Sequence, residues 1–400
     1  MKDFIHKMSL KSRLKDCFRS AGLCFTSKMG DRIIYAYPKI HSINRITNEN
    51  RTEIVFSLLN GLDPKEVHKK HFAFKQVFGQ SIELKGDTKI YTLNIYHTPL
   101  TSNLNYSYKQ ISPYLDGMNL PIVTGQKKNG RYLVIDSMDV PHIIIQGVTG
   151  SGKSSAIRVI LTTLIKYKRP EELDIYCIDG KKAEFGLFKK VEHVQAVVHS
   201  NAHARKILTH TCKMLASRED LLDTFDVPHI NDLPIEHKPK MILVAIDEMI
   251  EYLDDKKIQE SLIKISSKGR ACGIILLASA QRFDADIIDT KARANFSIRM
   301  SFRCVDTTNA RLLGTKGAEN IKAEEKGRLI LNFGEMVELQ NPHLTYDKAK
   351  ELLNPYCVNK SEIKPIFDDI EDLNTIPLAI EKQPNIERET HDNDDINLFL

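Results

Sequence analysis

Long apolar runs are scarce in this chain of 400 residues. None approaches the roughly 18 residues that a membrane span requires. The longest candidates, MILVAI at 241–246 and GIILLASA at 273–280, have the length of strands. The basic N-terminus lacks the apolar stretch and small-residue cleavage site of a secretory signal. A cytoplasmic protein without a membrane span of its own is the expectation. Cysteine is sparse too. Seven residues (17, 24, 177, 212, 272, 304 and 357) are dispersed with no C-x-x-C pair, which excludes a disulfide scaffold and a zinc ribbon and suits a reducing compartment. His199 and His203 stand four apart, followed by His210, but no carboxylate or cysteine falls at metal spacing beside them. Internal repeats and low-complexity tracts are lacking as well.

What is present is a soluble globular balance, with 42% hydrophobic and 27% charged residues, and length for two or three domains of roughly 100 to 200 residues. The net charge of +5 says less than its distribution. Residues 1–51 hold eleven Lys/Arg against four acids, whereas residues 361–400 hold eleven acids against Lys364, Lys382 and Arg388. A polyanion-facing end and a solvated end follow from that asymmetry.

The pattern divides the chain into five parts. Residues 1–29 form a basic arm. Residues 30–98 read as a small α/β domain: RIIYAYPKIHSI and KIYTLNIYH are strand-like, and DPKEVHKKHFAFKQVFG is a helix with Asp63 as N-cap, Pro64 at its first position and Gly79 after its last turn. Residues 99–119 are a polar linker. Between 120 and 345 short apolar strands (HIIIQG, LDIYCIDG, MILVAIDE, GIILLAS, RLILNF) alternate with helix-length segments. That is the pattern of a mainly parallel sheet covered on both faces, an α/β fold. Residues 346–400 add a short helix and an acidic tail whose composition predicts disorder.

The strongest chemical signal is Gly147-Val148-Thr149-Gly150-Ser151-Gly152-Lys153-Ser154, a complete G-x-x-x-x-G-K-[ST] between an apolar strand and an amphipathic helix. Glycines let the backbone curl so that N–H groups converge on a phosphate, and the helix N-terminus adds its positive end. ATP is the expected ligand of residues 147–155, Ser155 included. Lys153 reaches the β- and γ-phosphates, and the Ser154 hydroxyl binds Mg2+. A second apolar strand, MILVAIDE, ends in Asp247 and Glu248. Such a strand is expected beside the P-loop strand, with Asp247 holding the hydrated metal and Glu248 acting as base on the attacking water. An acid able to activate water points to hydrolysis. The next strand ends at Gln281, placed to contact the γ-phosphate or the water.

These blocks together resemble the FtsK/SpoIIIE family of DNA translocases, P-loop NTPases of RecA-like fold. The resemblance runs from Leu120 to Phe333 through PHIIIQGVTGSGKSS, IYCIDGKKAEFGLF, MILVAIDE, GRACGIILLASAQRF, KARANFSIRMSF, ARLLGTKGAENI and GRLIL. It departs at Gly180, where Asp-Pro-Lys is usual, and at Ala280 and Phe283, where Thr-Gln-Arg-Pro is usual. The family implies a homohexameric ring around double-stranded DNA, with ATP between subunits and a neighbour's cation completing each site. Arg270, Arg299, Arg303 and Arg311 are candidates, and Arg270 and Arg299 match family positions best. Lys181, Lys182, Lys189 and Lys190 are expected to grip DNA phosphates. No winged-helix module is legible after the motor. The small N-terminal domain resembles those of short FtsK-like proteins of plasmids and integrative elements, which implies conjugation or plasmid replication. Rival readings are a protein-secretion ATPase and an ATP-switched adaptor that recruits replication proteins. The last residues, Asp395-Ile396-Asn397-Leu398-Phe399, resemble the peptide by which replication proteins dock on the bacterial sliding clamp, with Asp in place of the usual Gln. Ile396, Leu398 and Phe399 would be its anchors.

Overall fold

The computed structural model describes residues 2–97, 100, 103–283 and 290–358. The tail with Ile396, Leu398 and Phe399 lies outside the described residues, as do 99 and 101–102 in the expected linker. The chain divides into two compact units: residues 1–104 with 125–133 and 338–340, and residues 105–124, 134–337 and 341–400.

The first unit contains α1 (Lys2–Ser20), β1 (Phe25–Met29), β2 (Arg32–Ala36), β3 (Lys39–Ile46), β4 (Arg51–Ser57), α2 (Pro64–Lys69), α3 (His71–Phe78), β5 (Ile82–Lys85) and β6 (Ile90–Tyr96). An antiparallel sheet runs β3-β4-β6-β5, and β1 and β2 make a separate hairpin. Along β4, Thr52, Ile54 and Phe56 point inward at a spacing of two, the signature of a half-buried strand. Their face meets Phe74 of α3 and, unexpectedly, Leu14 and Phe18 of α1, with the Phe18 and Phe56 rings 5.0 Å apart. Residues 1–29 are therefore not a separate arm. Six cations do line α1, but its buried stripe of Leu10, Leu14, Cys17 and Phe18 belongs to the domain core. The expected single helix after Asp63 is two. The Asp63 carboxylate accepts the Lys65 N–H and Pro64 opens α2 as expected, but Lys70 leaves helical geometry (ψ 15°) and α3 starts anew. Pro38 likewise breaks the expected strand RIIYAYPKIHSI into β2 and β3, because proline offers no N–H to a ladder.

The rest of the chain contributes α4 (Tyr108–Ile111), β7 (Pro121–Gln126), β8 (Tyr132–Asp136), β9 (Ile143–Gln146), α5 (Lys153–Tyr167), β10 (Leu173–Asp179), β11 (Val194–Val198), α6 (Asn201–Phe225), β12 (Met241–Asp247), α7 (Lys256–Lys268), β13 (Ile274–Ala280), α8 (Thr290–Asn295), β14 (Ile298–Ser301), α9 (Thr307–Leu312), β15 (Arg328–Asn332), β16 (Met336–Gln340) and α10 (Tyr346–Leu353). In the second unit the sheet order is β11-β10-β12-β13-β9-β14-β15, parallel up to β14 and antiparallel between β14 and β15. Every residue of β9, β12 and β13 is buried, as a sheet covered on both faces demands. The expected linker contributes to this core, since Ile111 and Leu115 are fully buried, so the motor begins nearer residue 105 than 120.

One expectation about the sheet is corrected. The acid-bearing strand β12 is not beside the P-loop strand β9; β13 lies between them, paired with both. The two apolar runs are alike in sequence, and neither carries a residue that dictates which of them inserts.

Candidate nucleotide site

Parallel strands deliver their following loops to one edge of the sheet, and this edge collects the chemistry. From β9 the chain enters the loop 147–152 and then α5, whose first N–H groups have no partner within the helix. Gly150 has φ +77°, and a Cβ there would meet nothing within 4 Å, so the crest of the loop has room for a phosphate. Gly152 has φ +120°, and a Cβ there would come within 2.9 Å of the Gly327 backbone. The Gly327 N–H donates to the Ser151 carbonyl at 2.8 Å and fixes the loop from behind. The Ser151 hydroxyl is buried without a hydrogen-bond partner. Open space, an orphaned hydroxyl and unpaired helix N–H groups fit a bound phosphate chain.

Lys153 heads α5 and is buried. Its ammonium donates to Glu248 Oε1 and lies 3.6 Å from Asp247 Oδ1. Asp247 ends β12 and also accepts the Ser279 hydroxyl from β13, so the inserted strand braces the carboxylate. Glu248 follows at φ 51°, ψ 53°, a left-handed conformation costly for a glutamate. That twist turns its side chain back to Lys153, and its Oε2 accepts the Gln281 N–H at 3.2 Å. Burial alone would raise the Glu248 carboxyl. The hydrogen bonds and charges of Lys153 and Lys181 outweigh burial and hold it below the ordinary carboxylate range.

Asp247 and Ser154 fit a divalent cation by donor type: a buried carboxylate and a hydroxyl on the first turn of α5, few protein oxygens of the kind Mg2+ uses with water and phosphate. Among the described residues no group of three or more His, Cys, Asp and Glu is placed to hold a metal. His199 instead bonds the Asp179 carbonyl at 3.1 Å, and His203 bonds Ser200 at 3.0 Å.

The structure redistributes several expected roles. The Ser155 hydroxyl is engaged elsewhere, donating to the Pro342 carbonyl at 3.2 Å and accepting the Leu344 N–H at 2.8 Å. Lys181 is exposed like Lys182, Lys189 and Lys190 but differs in its partner: its ammonium sits 3.1 Å from Glu248 Oε1. The Asp179 carboxylate explains the turn, accepting N–H groups from Ala183, Glu184 and Phe185 at 3.3, 3.2 and 3.0 Å. An aspartate closing a strand, followed within six residues by the groups it caps, is a signal that sequence reasoning passed over. At Gly180, where the resemblance departs, an added Cβ would collide with Glu251 Oε2, so an acid just beyond the pair fills the space beside the glycine.

Neither arginine singled out for action across subunits joins the cluster. Arg270 is at the opposite end of β13 from Gln281, donating to the Met138 carbonyl at 2.7 Å. Arg299 lies on β14, donating from Nε to the Phe296 carbonyl at 2.8 Å, and burial and Arg293 push its guanidinium down. The Arg303 carbonyl accepts the Val148 N–H of the glycine-rich loop at 3.0 Å.

A parallel sheet with a glycine-rich loop entering a helix, a strand inserted between it and an acid-tipped strand, and a lysine joining them defines a P-loop NTPase fold. Residues 112–240 match the family model of the FtsK/SpoIIIE family. That match stops just before β12. A DNA translocase FtsK of Tropheryma whipplei is 25% identical over 303 residues, which cover 71% of this chain and 39% of that one. DNA translocase SftA of Bacillus subtilis is 31% identical over 56% of this chain and 24% of its own length. The chain thus spans well under half the length of these curated relatives. Among solved structures, the pCW3 conjugation coupling protein TcpA, a monomer form with ATPγS, matches with a TM-score of 0.58 at 23% identity over 86% of this chain and 98% of that one. The cytoplasmic domain of the Type VII secretion ATPase EccC of Thermomonospora curvata matches at 0.53 with 20% identity, over 60% of this chain and 31% of that one. At such identity both show the fold alone. No helix among the described residues is long and apolar enough to cross a membrane.

Proposed function

We propose that the chain is an ATPase that couples hydrolysis to movement along double-stranded DNA, working as a homohexamer in transfer or replication of a plasmid or mobile element. The observation that carries the hydrolytic part is the convergence of Lys153, Asp247, Glu248 and the Gln281 N–H at one edge of the sheet. Loop N–H groups and the Lys153 ammonium bind the phosphates. Asp247 and Ser154 would hold Mg2+, which would supply positive charge to the phosphates. Glu248 takes a proton from a water whose oxygen attacks the γ-phosphorus; the bond to the β-bridging oxygen breaks and ADP leaves with that electron pair. Gln281 orients the water, and an arginine of a neighbouring subunit, Arg270 or Arg299, faces the transferring group.

DNA as the partner is supported by the relatives' names and by Lys182, Lys189 and Lys190, exposed on one segment. The test is phosphate release with and without duplex DNA. Stimulation supports the motor. Turnover indifferent to DNA favours the adaptor or secretion reading.

A further inference from the structure

Glu248 Oε1 receives two lysines. Lys153 comes from the helix after the P-loop and Lys181 from the turn after β10. Each is a natural phosphate ligand, and each comes from a segment with a different phosphate to meet: the nucleotide's for Lys153, the duplex backbone's for the turn that continues into exposed Lys182 and, beyond Phe188, exposed Lys189 and Lys190.

We infer that Lys181 is a positioning residue that restrains Glu248, and that a DNA phosphate releases the restraint by taking the Lys181 ammonium. This rests on the reading of Glu248 as the base and of DNA as the partner. The geometry allows the exchange. The Lys181 side chain is 42% exposed while that of Glu248 is 9% exposed, so the lysine bridges solvent and the buried carboxylate and can swing outward toward a polyanion. The turn itself is held, by Asp179 on one side and by an ion pair of Glu184 with Arg158 of α5 on the other, so the exchange needs only a side-chain swing on a fixed backbone. With ATP drawing Lys153 to its phosphates and DNA drawing Lys181, Glu248 keeps only the Gln281 N–H on its other oxygen and is free to face the water. Hydrolysis then requires both ligands, which limits futile turnover off DNA.

The experiment measures steady-state phosphate release by the full chain with and without duplex DNA, for wild type, Lys181→Met and Lys181→Arg, with duplex binding followed by fluorescence anisotropy. Lys181→Met should raise the DNA-free kcat to near the DNA-stimulated rate, leaving KM for ATP nearly unchanged and weakening duplex binding by no more than the loss of one phosphate contact, so that its stimulation factor falls to about one. Lys181→Arg, which retains the cation, should keep the low DNA-free rate and the stimulation. A Lys181→Met protein with wild-type rates in both conditions overturns the restraint. So does one slowed equally with and without DNA, which would mark Lys181 as structural, or one that no longer binds duplex. If wild type hydrolyses ATP but ignores DNA, the DNA reading has failed, and a higher kcat in Lys181→Met still decides for the restraint. If wild type hydrolyses no ATP, both fall together.

Discussion

Lys153 and Glu248, 95 positions apart in the chain, form one ion pair at the edge of the second unit's sheet, with Asp247 close enough to share the ammonium. A charge pair this secluded stands or falls as a set. Removing Lys153 leaves Glu248 with Lys181 and the Gln281 N–H and Asp247 with the Ser279 hydroxyl, so the loss should fall below the roughly 3–5 kcal/mol of a fully unpaired buried charge. Lys153→Ala should therefore both lose ATP binding and lower the unfolding midpoint.

Glu248→Gln separates binding from turnover. The amide is isosteric and its single oxygen can still accept Lys153, but its NH2 cannot accept the Gln281 N–H and it cannot take the water's proton. Binding of a fluorescent ATP analogue should be retained while kcat falls by about 10²–10⁴-fold, the usual share of a general base. Near-wild-type phosphate release would remove Glu248 from that role.

The two serines after Lys153 should behave differently. Ser155 ties α5 to the segment at 342–344, so Ser155→Ala should cost about 1–3 kcal/mol in urea unfolding, with the dependence of nucleotide binding on Mg2+ unaltered. Ser154→Ala should show the reverse, little change in stability and a weakened response to Mg2+. Identical effects from both would contradict the division of labour.

Duplex binding should weaken steeply with salt. Each phosphate neutralised contributes a slope of about −0.9 in log K against log salt for B-form DNA. Charge reversal at Lys182, Lys189 or Lys190 should flatten that slope by about that amount for each phosphate no longer neutralised, at any DNA sequence. A slope near zero in the wild-type protein would exclude phosphate gripping.

The first unit offers a test of what its N-terminal helix is for. Phe18 is fully buried against Phe56 and Phe74. Phe18→Ala should cost about 3–5 kcal/mol. A solvated arm would tolerate the change, so a midpoint unmoved in chemical denaturation would be incompatible with α1 as part of the core.

The P-loop and the acid pair are legible in the sequence because their chemistry is written in contiguous residues with one geometric outcome, strand then loop then helix. The fully buried strands β9, β12 and β13 are legible for a similar reason. Their order is not: Ile143, Leu243 and Ile275 look the same to a reader of periodicity, and the insertion of β13 depends on packing across the whole sheet. Charge patterning groups Lys181 with Lys182, Lys189 and Lys190 because it sees a run of like charges and cannot tell which one meets a carboxylate. Ser155 reads as a nucleotide ligand from its place in the motif, though its hydroxyl serves the fold. The cations of α1 draw attention from its stripe of Leu10, Leu14, Cys17 and Phe18, which only the facing sheet reveals as core.

His142 gives the fold a dependence on acid unrelated to catalysis. It stands just before β9, fully buried, with φ +56°, and its Nδ1 accepts the Leu276 N–H at 3.0 Å. Acceptance requires the neutral ring, and burial pushes its pKa down from 6.5 to about 4. The unfolded chain takes up a proton below the ordinary value, while the folded chain resists until about pH 4. Stability from this group is thus complete above the unfolded pKa and declines as pH falls from about 6.5 toward 4, by up to about 3 kcal/mol. Asparagine tolerates the left-handed backbone and can accept the same N–H without titrating. Urea unfolding at about pH 7.5 and about pH 5 should show wild type losing more stability than His142→Asn over that interval. Equal losses would mean that the ring is protonated, or solvated, in the folded protein.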